Sequence, residues 1–304
     1  MGERLSSDGE SAAQPGAGWR GIGLGEAVRR LAACRLEAFL RNAPGAACGE
    51  DPEALHCARI AIRRLRYVLR TFRGPLKGTG ARQAERDLQR VNRALGSVRD
   101  SDVGLELMGE ESVVRAVGEN RRWPRFLEHH RQARRLRLPV LRRHLRGSSY
   151  AALKRRLERL VTSEIPAVSS VRSPEGLARR ALEKALARAL KIGRWRRSGS
   201  LKKVHRLRIE LRRIRYLTED FQDILGPEGE RLRRRAHRIE RSLGRIRDLG
   251  SAQAHLAEYG PPAPRALLRE LDRLACAERK TVESRWTRLA EPRFLRAVGL
   301  ELKG

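Results

Sequence analysis

The pattern H-x-x-R-x-x-x-R-R-x-R-Y occurs twice in this chain, from His56 to Tyr67 and from His205 to Tyr216. A second pattern, L-G-x-[VI]-R-D, recurs at nearly the same separation, as LGSVRD at 95–100 and LGRIRD at 243–248. His56 pairs with His205 at an offset of 149 residues, and Leu95 pairs with Leu243 at 148. Between these anchors Arg86, Arg90 and Arg93 fall opposite Arg234, Arg238 and Arg241. Two anchors in the same order, with so small a difference in spacing, imply one unit copied within the chain. The fold must then accommodate two versions of one arrangement.

Helix is the only regular element that the pattern supports. Leu, Ala, Arg and Glu dominate from about residue 26 onward, and no segment sustains period-two alternation. The fold class is therefore all-α. Stop signals divide the chain into helical stretches. The first, 25–42, ends before Pro44. The second opens at Asp51-Pro52, an N-cap followed by proline at the first helical position, and closes at Gly74-Pro75. The third, 79–95, stops at Gly96, and another begins near Asp100. Stretches 123–146 and 149–162 follow. The order then returns as 175–197, 200–225, 228–243, 248–258 and a long stretch 264–298. Residues 1–24 lack periodicity and are expected to be a disordered lead-in to one domain over 25–304. Within it the expected parts are a first helical half, 25–162, a connector, 163–174, and a second half, 175–304. Two helical bundles related by a pseudo-two-fold axis are the natural architecture.

The repeated segment has an unusual polar side. At 100° per residue, His56, Arg59, Arg63, Arg66, Arg70 and Arg73 fall within an arc about 100° wide. Ala58, Ala61, Leu65, Val68, Leu69 and Phe72 take the opposite face. The stripe contains no carboxylate. Like charges three or four residues apart destabilise a helix by roughly 0.2–0.5 kcal/mol per pair. An anion laid along the stripe removes that cost. His205, Arg208, Arg212 and Arg215 repeat the placement, but Glu219 follows where the first copy has Arg70, so the second stripe is shorter and carries an expected internal ion pair. Arg82, Arg86, Arg90 and Arg93 share a face of the next helix, and Arg231, Arg234, Arg238 and Arg241 do so in its copy. The four stripes are expected to converge on a central groove. At 1.5 Å per residue, His56 to Arg70 spans about 21 Å, which suits an extended polymer of phosphates better than one nucleotide.

Both histidines lie five residues after their expected N-caps, Asp51 and Ser200, near the positive end of the helix dipole. An anion held there favours the imidazolium form. Tyr67 and Tyr216 border the stripe, placed either to donate a hydroxyl or to pack at the core edge. Asp100 and Asp248 are expected to cap the following helix or to brace an arginine. Gly250 stands where Asp102 would repeat, which argues against a duplicated acid pair.

Charge agrees with a polyanionic partner. The 304-residue chain holds 67 Lys plus Arg against 36 Asp plus Glu, for a formal charge of +31. Only 8 of the basic residues are lysine and 59 are arginine, whose planar fork suits phosphate oxygens. A charge this large opposes compaction unless a counter-charge is bound. Aromatic residues make up only 4%, which counts against a single-strand binder that stacks bases. Cys34, Cys48, Cys57 and Cys276 have no paired spacing and read as single buried thiols of a reducing compartment. No apolar run approaches the ~18 residues of a membrane span. No metal or cofactor motif is present, so no cofactor is expected.

With both motifs found twice, the chain resembles the CHAD family, the conserved-histidine α-helical domain, over roughly residues 24–300. The resemblance implies two pseudo-symmetric helical bundles that bind inorganic polyphosphate along a basic groove, in the cytoplasm and often at polyphosphate granules. The family histidine maps to His56 and His205. The family's basic positions map to Arg59, Arg63, Arg64 and Arg66, and to Arg208, Arg212, Arg213 and Arg215; lysine is common in relatives where Arg212 stands here. Arg64 falls off the stripe. Many relatives join this domain to a triphosphate-tunnel enzyme domain marked by E-x-E-x-K, a motif this sequence lacks, so catalysis by that partner is not implied. The expected polyphosphate ligands are His56, Arg59, Arg63, Arg66, Arg70, Arg82, Arg86, Arg90, Arg93, His205, Arg208, Arg212, Arg215, Arg234, Arg238 and Arg241. The alternative is a nucleic-acid or ribosome-associated basic protein. A histidine-based phosphotransfer enzyme, which needs a general acid and a way to stabilise the leaving group, is disfavoured, because the sequence has no H-E-x-x-H, no G-x-x-x-x-G-K-[ST] and no cluster with metal-ligand spacing.

Overall fold

The computed structural model of the chain describes residues 18–19, 21–74, 76–166, 173–193, 201–258 and 263–298. Among them there is no strand. The helices are α1 (Leu24–Cys48), α2 (Pro52–Thr71), α3 (Ala81–Met108), α4 (Glu111–Val117), α5 (Trp123–Arg146) and α6 (Ser148–Arg159). A π-helical turn at Leu160–Glu164 extends α6. Then come α7 (Pro174–Gly193), α8 (Leu201–Asp220), α9 (Gln222–Glu258), α10 (Arg265–Leu289) and α11 (Pro292–Ala297).

Several boundaries follow the sequence signals. Asp51 caps α2, its Oδ1 accepting from the Glu53 and Ala54 amides at 2.8 and 3.1 Å. Such a cap contributes about 1 kcal/mol. The corresponding signal at Ser200 lies outside the described residues, as does most of the 1–24 lead-in. Trp19, within that lead-in, is buried.

Other signals were overridden. α1 runs through Pro44 and ends instead at Gly49, whose φ of 76° supplies the left-handed cap. α3 continues through Gly96 to Met108, and α9 through Gly244 to Glu258, so neither glycine is a stop. Asp100 therefore lies inside a helix rather than at the start of one. α9 bends near its beginning, where Gly226 has a φ of 59° and Pro227 follows. The stretch expected over 264–298 divides after Leu289 into α10 and α11.

The described residues form two compact units. One comprises the chain up to Asp102 together with Ala133–Gly176; the other comprises Val103–Gln132 together with the chain from Leu177. Residues 103–132, expected within the first half, thus pack with the second unit. In the first unit α1 packs along α2. The buried face of α2 is Ala54, Leu55, Ala58, Ala61, Ile62, Leu65, Val68 and Leu69, the apolar arc expected from its periodicity. In the second unit α9 packs on both α8 and α10, and α4 packs on α10. A cluster of Leu107, Met108, Val113, Val117 and Phe126 with Leu249, Leu256, Leu267 and Leu271 explains the reassignment. These side chains find their apolar partners on α9 and α10.

Candidate anion-binding faces

In the first unit the α2 stripe meets α3 through carboxylates. Arg66 donates from Nη2 to Glu85 Oε1 at 2.8 Å and from Nε at 3.1 Å. Arg59 Nη2 lies 3.8 Å from Asp100 Oδ1. The stripe that carries no carboxylate of its own receives Glu85 and Asp100 from the neighbouring helix. Glu85, Gly96 and Asp100 follow one edge of α3, next to the row Arg82, Arg86, Arg90 and Arg93. All four arginines of that row are exposed. Arg86 donates to Gln83 and Arg90 to Asp87. Asp87 is buried and also accepts from Arg156 of α6, which ties α6 to the back of the row.

The α2 residues grade in exposure along the stripe. His56, Arg59, Arg63 and Arg66 are half-buried, whereas Arg70 and Arg73 are exposed. Arg64, off the stripe by its angle, is only 5% exposed. Tyr67 is half-buried at the border.

The second unit carries the matching arginines, with internal ion pairs of its own. His205 is exposed, and Arg208 and Arg212 are half-buried. Arg215 is 7% exposed. Its Nε donates to Glu240 of α9 at 3.1 Å, and its Nη1 to Glu219 at 3.3 Å. The expected ion pair with Glu219 is therefore present, and Glu240 adds a second carboxylate. Arg212 Nε donates to the same Glu240 at 2.7 Å. Tyr216 is buried beside Arg215, whose guanidinium carbon is 5.1 Å from the ring centre, so this tyrosine packs at the core edge. On α9 the row Arg231, Arg234, Arg238 and Arg241 is exposed. Arg231 donates to Glu228, and Arg234 lies 3.5 Å from Glu230.

Equivalent positions also trade sign. Glu85 of α3 takes Arg66, whereas Arg233, at the matching place on α9, sits 3.7 Å from Glu219 of α8. Asn92 of α3 corresponds to Glu240. In the second face Glu240 thus stands where the first has a neutral amide.

The electrostatics of His205 follow from its neighbours. Although the residue is exposed as a whole, partial desolvation of its ring lowers its pKa below the ordinary 6.5, and the charges of Arg208, Arg212 and Arg247 lower it further. A bound anion would reverse the arginine contribution.

Asp100 braces Arg59, one of its two expected roles. Asp248 pairs with adjacent Arg247 at 2.6 Å. Asp102 is buried and accepts from Arg134 of α5, a structural pairing with no repeat. The cysteines depart from expectation: Cys48 and Cys276 are exposed, and Cys34 and Cys57 are half-buried. Cys57 donates to Glu53 Oε1 at 3.2 Å, and burial with that carboxylate pushes its thiol up to about 11. Among the described residues no group of three or more His, Cys, Asp or Glu could hold a metal ion. No described helix is long and apolar enough to cross a membrane.

Sequence reasoning missed the carboxylate edge of α3 and α9. Glu85 and Glu240 read as ordinary helix-surface acids, and no spacing rule assigns them to the preceding helix. The available signal was their place beside the arginine rows, one step around the helix.

Comparison with solved structures supports this architecture. The crystal structure of the CHAD domain from the plant Ricinus communis superposes with a TM-score of 0.72, at 23% identity, over 89% of this chain and 92% of that one. PptA from Streptomyces chartreusis superposes with a TM-score of 0.61, at 21% identity, over 90% of this chain and 99% of that one. No curated protein matches the sequence. The CHAD domain profile matches residues 30–257 and, in a second match, residues 193–299. Since these matches cover most of the sequence, the chain belongs to the CHAD family.

Proposed function

We propose that this protein binds inorganic polyphosphate along the arginine rows of each unit and does not turn it over. The observation that carries the reading is the exposed row Arg82, Arg86, Arg90 and Arg93, bordering the half-buried Arg59, Arg63 and Arg66 of α2. A row of guanidinium groups at helical spacing matches a ligand that repeats one charge and offers no bases to read. Arg234, Arg238 and Arg241 repeat the row in the second unit. The pairing in each unit divides the labour. Arg66 and Arg215, held by Glu85, Glu240 and Glu219, fix the frame, while the exposed rows meet the ligand.

Nucleic acid shares the phosphate chemistry but adds groove and base contacts. On the polyphosphate reading the protein acts in the cytoplasm, and a fluorescently tagged copy follows polyphosphate granules. Calorimetric titration with long-chain polyphosphate at two salt concentrations tests the binding. The expected result is saturable binding that weakens steeply with salt, because counterions are released. Absence of binding at low salt overturns the reading. Phosphate release measured over hours tests the second half: release that depends on His56 or His205 contradicts a purely binding role.

A further inference from the structure

We propose that Gly96 and Gly244 are positioning residues of the anion faces, each a bare patch of helix on which an arginine fork is seated. This rests on the reading of those faces as polyphosphate sites. Glycine inside a helix is less favourable than alanine, so an interior glycine needs a reason. Here the reason is on the neighbouring helix. A Cβ placed on Gly96 would come within 2.3 Å of Arg59 Nη1. A Cβ on Gly244 would come within 3.3 Å of Arg208 Nε and Nη2. Arg59 and Arg208 are the second motif position in each copy, and Gly96 and Gly244 are the second residue of each L-G-x-[VI]-R-D. The same seat is thus built twice from both repeated motifs.

The seat is specific to these glycines. Gly104 of α3 and Gly250 of α9 face open space: a Cβ added at either would meet nothing within 4 Å. In the first unit Asp100 lies on a second side of the fork, 3.8 Å from Nη2, and the Arg59 side chain keeps 16% of its surface in water. An arginine already held in one rotamer loses less entropy when an anion arrives. The atoms met by a Gly96 Cβ belong to the far end of a flexible side chain. Alanine is therefore accommodated by unseating Arg59, with the helix intact.

The test compares Gly96→Ala, Gly244→Ala, Gly104→Ala and Gly250→Ala in the full chain. Affinity for long-chain polyphosphate is measured by calorimetry, and Tm is measured without ligand. G96A is expected to bind about tenfold more weakly. Its Tm should be equal or higher by about 1–3 °C, because helix propensity improves. G244A, with its looser contact, should lose about threefold by the same reasoning. G104A and G250A should raise Tm and leave affinity unchanged. In an Arg59→Ala background, G96A should cost nothing further. Unchanged affinity in G96A overturns the proposal, and so does a fall in its Tm, which would mark a packing role. A loss that persists without Arg59 also overturns it. If wild-type protein fails to bind polyphosphate, the functional reading itself fails; binding by wild type with an unaffected G96A removes the seat alone.

Discussion

Arg215 of α8 lies against Glu240 of α9, its Nε 3.1 Å from the carboxylate, and both side chains are less than a tenth exposed. Glu240 also holds Arg212 at 2.7 Å. One buried carboxylate thereby serves two guanidinium groups. Removing it takes this carboxylate from both guanidinium groups and leaves Glu219 beside Arg215; breaking a buried pair costs about 3–5 kcal/mol. Glu240→Gln should therefore lower stability by that order in denaturant melts. Polyphosphate should raise the Tm of this variant more than that of wild type, since the anion replaces the lost charge. An unchanged melt would show that the pair does not hold α8 to α9.

The first unit makes the complementary prediction. Glu85 holds Arg66 with both side chains 15–18% exposed, so the pair is better hydrated than its counterpart. Glu85→Gln should cost little more than about 1 kcal/mol, given this exposure. It should also strengthen polyphosphate binding by about threefold and steepen its salt dependence, because one more cation becomes available. Weaker binding by E85Q would mean that Arg66 must be oriented by Glu85 to act.

Charge reversal on the exposed row separates binding from folding. Arg86 and Arg93 are solvent-facing, and substitutions at such positions usually change stability by less than about 0.5 kcal/mol. Arg86→Glu with Arg93→Glu should leave the melt intact and weaken polyphosphate binding by at least about tenfold. The slope of log affinity against log salt should fall by about one for each lost contact. Reversal at Arg59 or Arg66 is a poorer test, because a glutamate there would face Asp100 or Glu85.

His205 gives a pH dependence whose sign is fixed. Its folded pKa lies below the ordinary 6.5 through partial desolvation first and then through Arg208, Arg212 and Arg247. The unfolded chain therefore binds more protons near and below that value. Stability contributed by this group is present above the ordinary value and is lost as pH falls through the lowered one. A polyanion offsets the arginine charges and raises the pKa again, so binding takes up protons. Calorimetry in buffers of different ionisation enthalpy, at about pH 6, should show proton uptake that is reduced in His205→Gln. Proton release on binding would contradict the arrangement.

The sequence disclosed the helical class, the duplicated motifs and the exposed rows, because each rests on local periodicity. Asp51 was legible for the same reason: its cap contacts lie within three residues. Gly96 reads locally as a helix stop, and the matching stretch is bounded at 243, before Gly244; the partners of these glycines, Arg59 and Arg208, are on another helix and no local rule can register them. Pro44 was misread similarly: the helix continues to a left-handed cap at Gly49. The carboxylates that quiet the stripes, Glu85 and Glu240, are tertiary contacts across 19 and at least 25 residues. The placement of residues 103–132 with the second unit depends on apolar partners more than a hundred residues away.

The central claim is that the arginine rows fit a featureless chain of phosphates rather than a nucleic acid. A competition titration tests it most directly: labelled long-chain polyphosphate is bound to the protein, and unlabelled polyphosphate, duplex DNA or tRNA is added at equal phosphate concentration. Displacement by polyphosphate, with little by DNA or tRNA, is the predicted result. Equal or stronger displacement by either nucleic acid would contradict it.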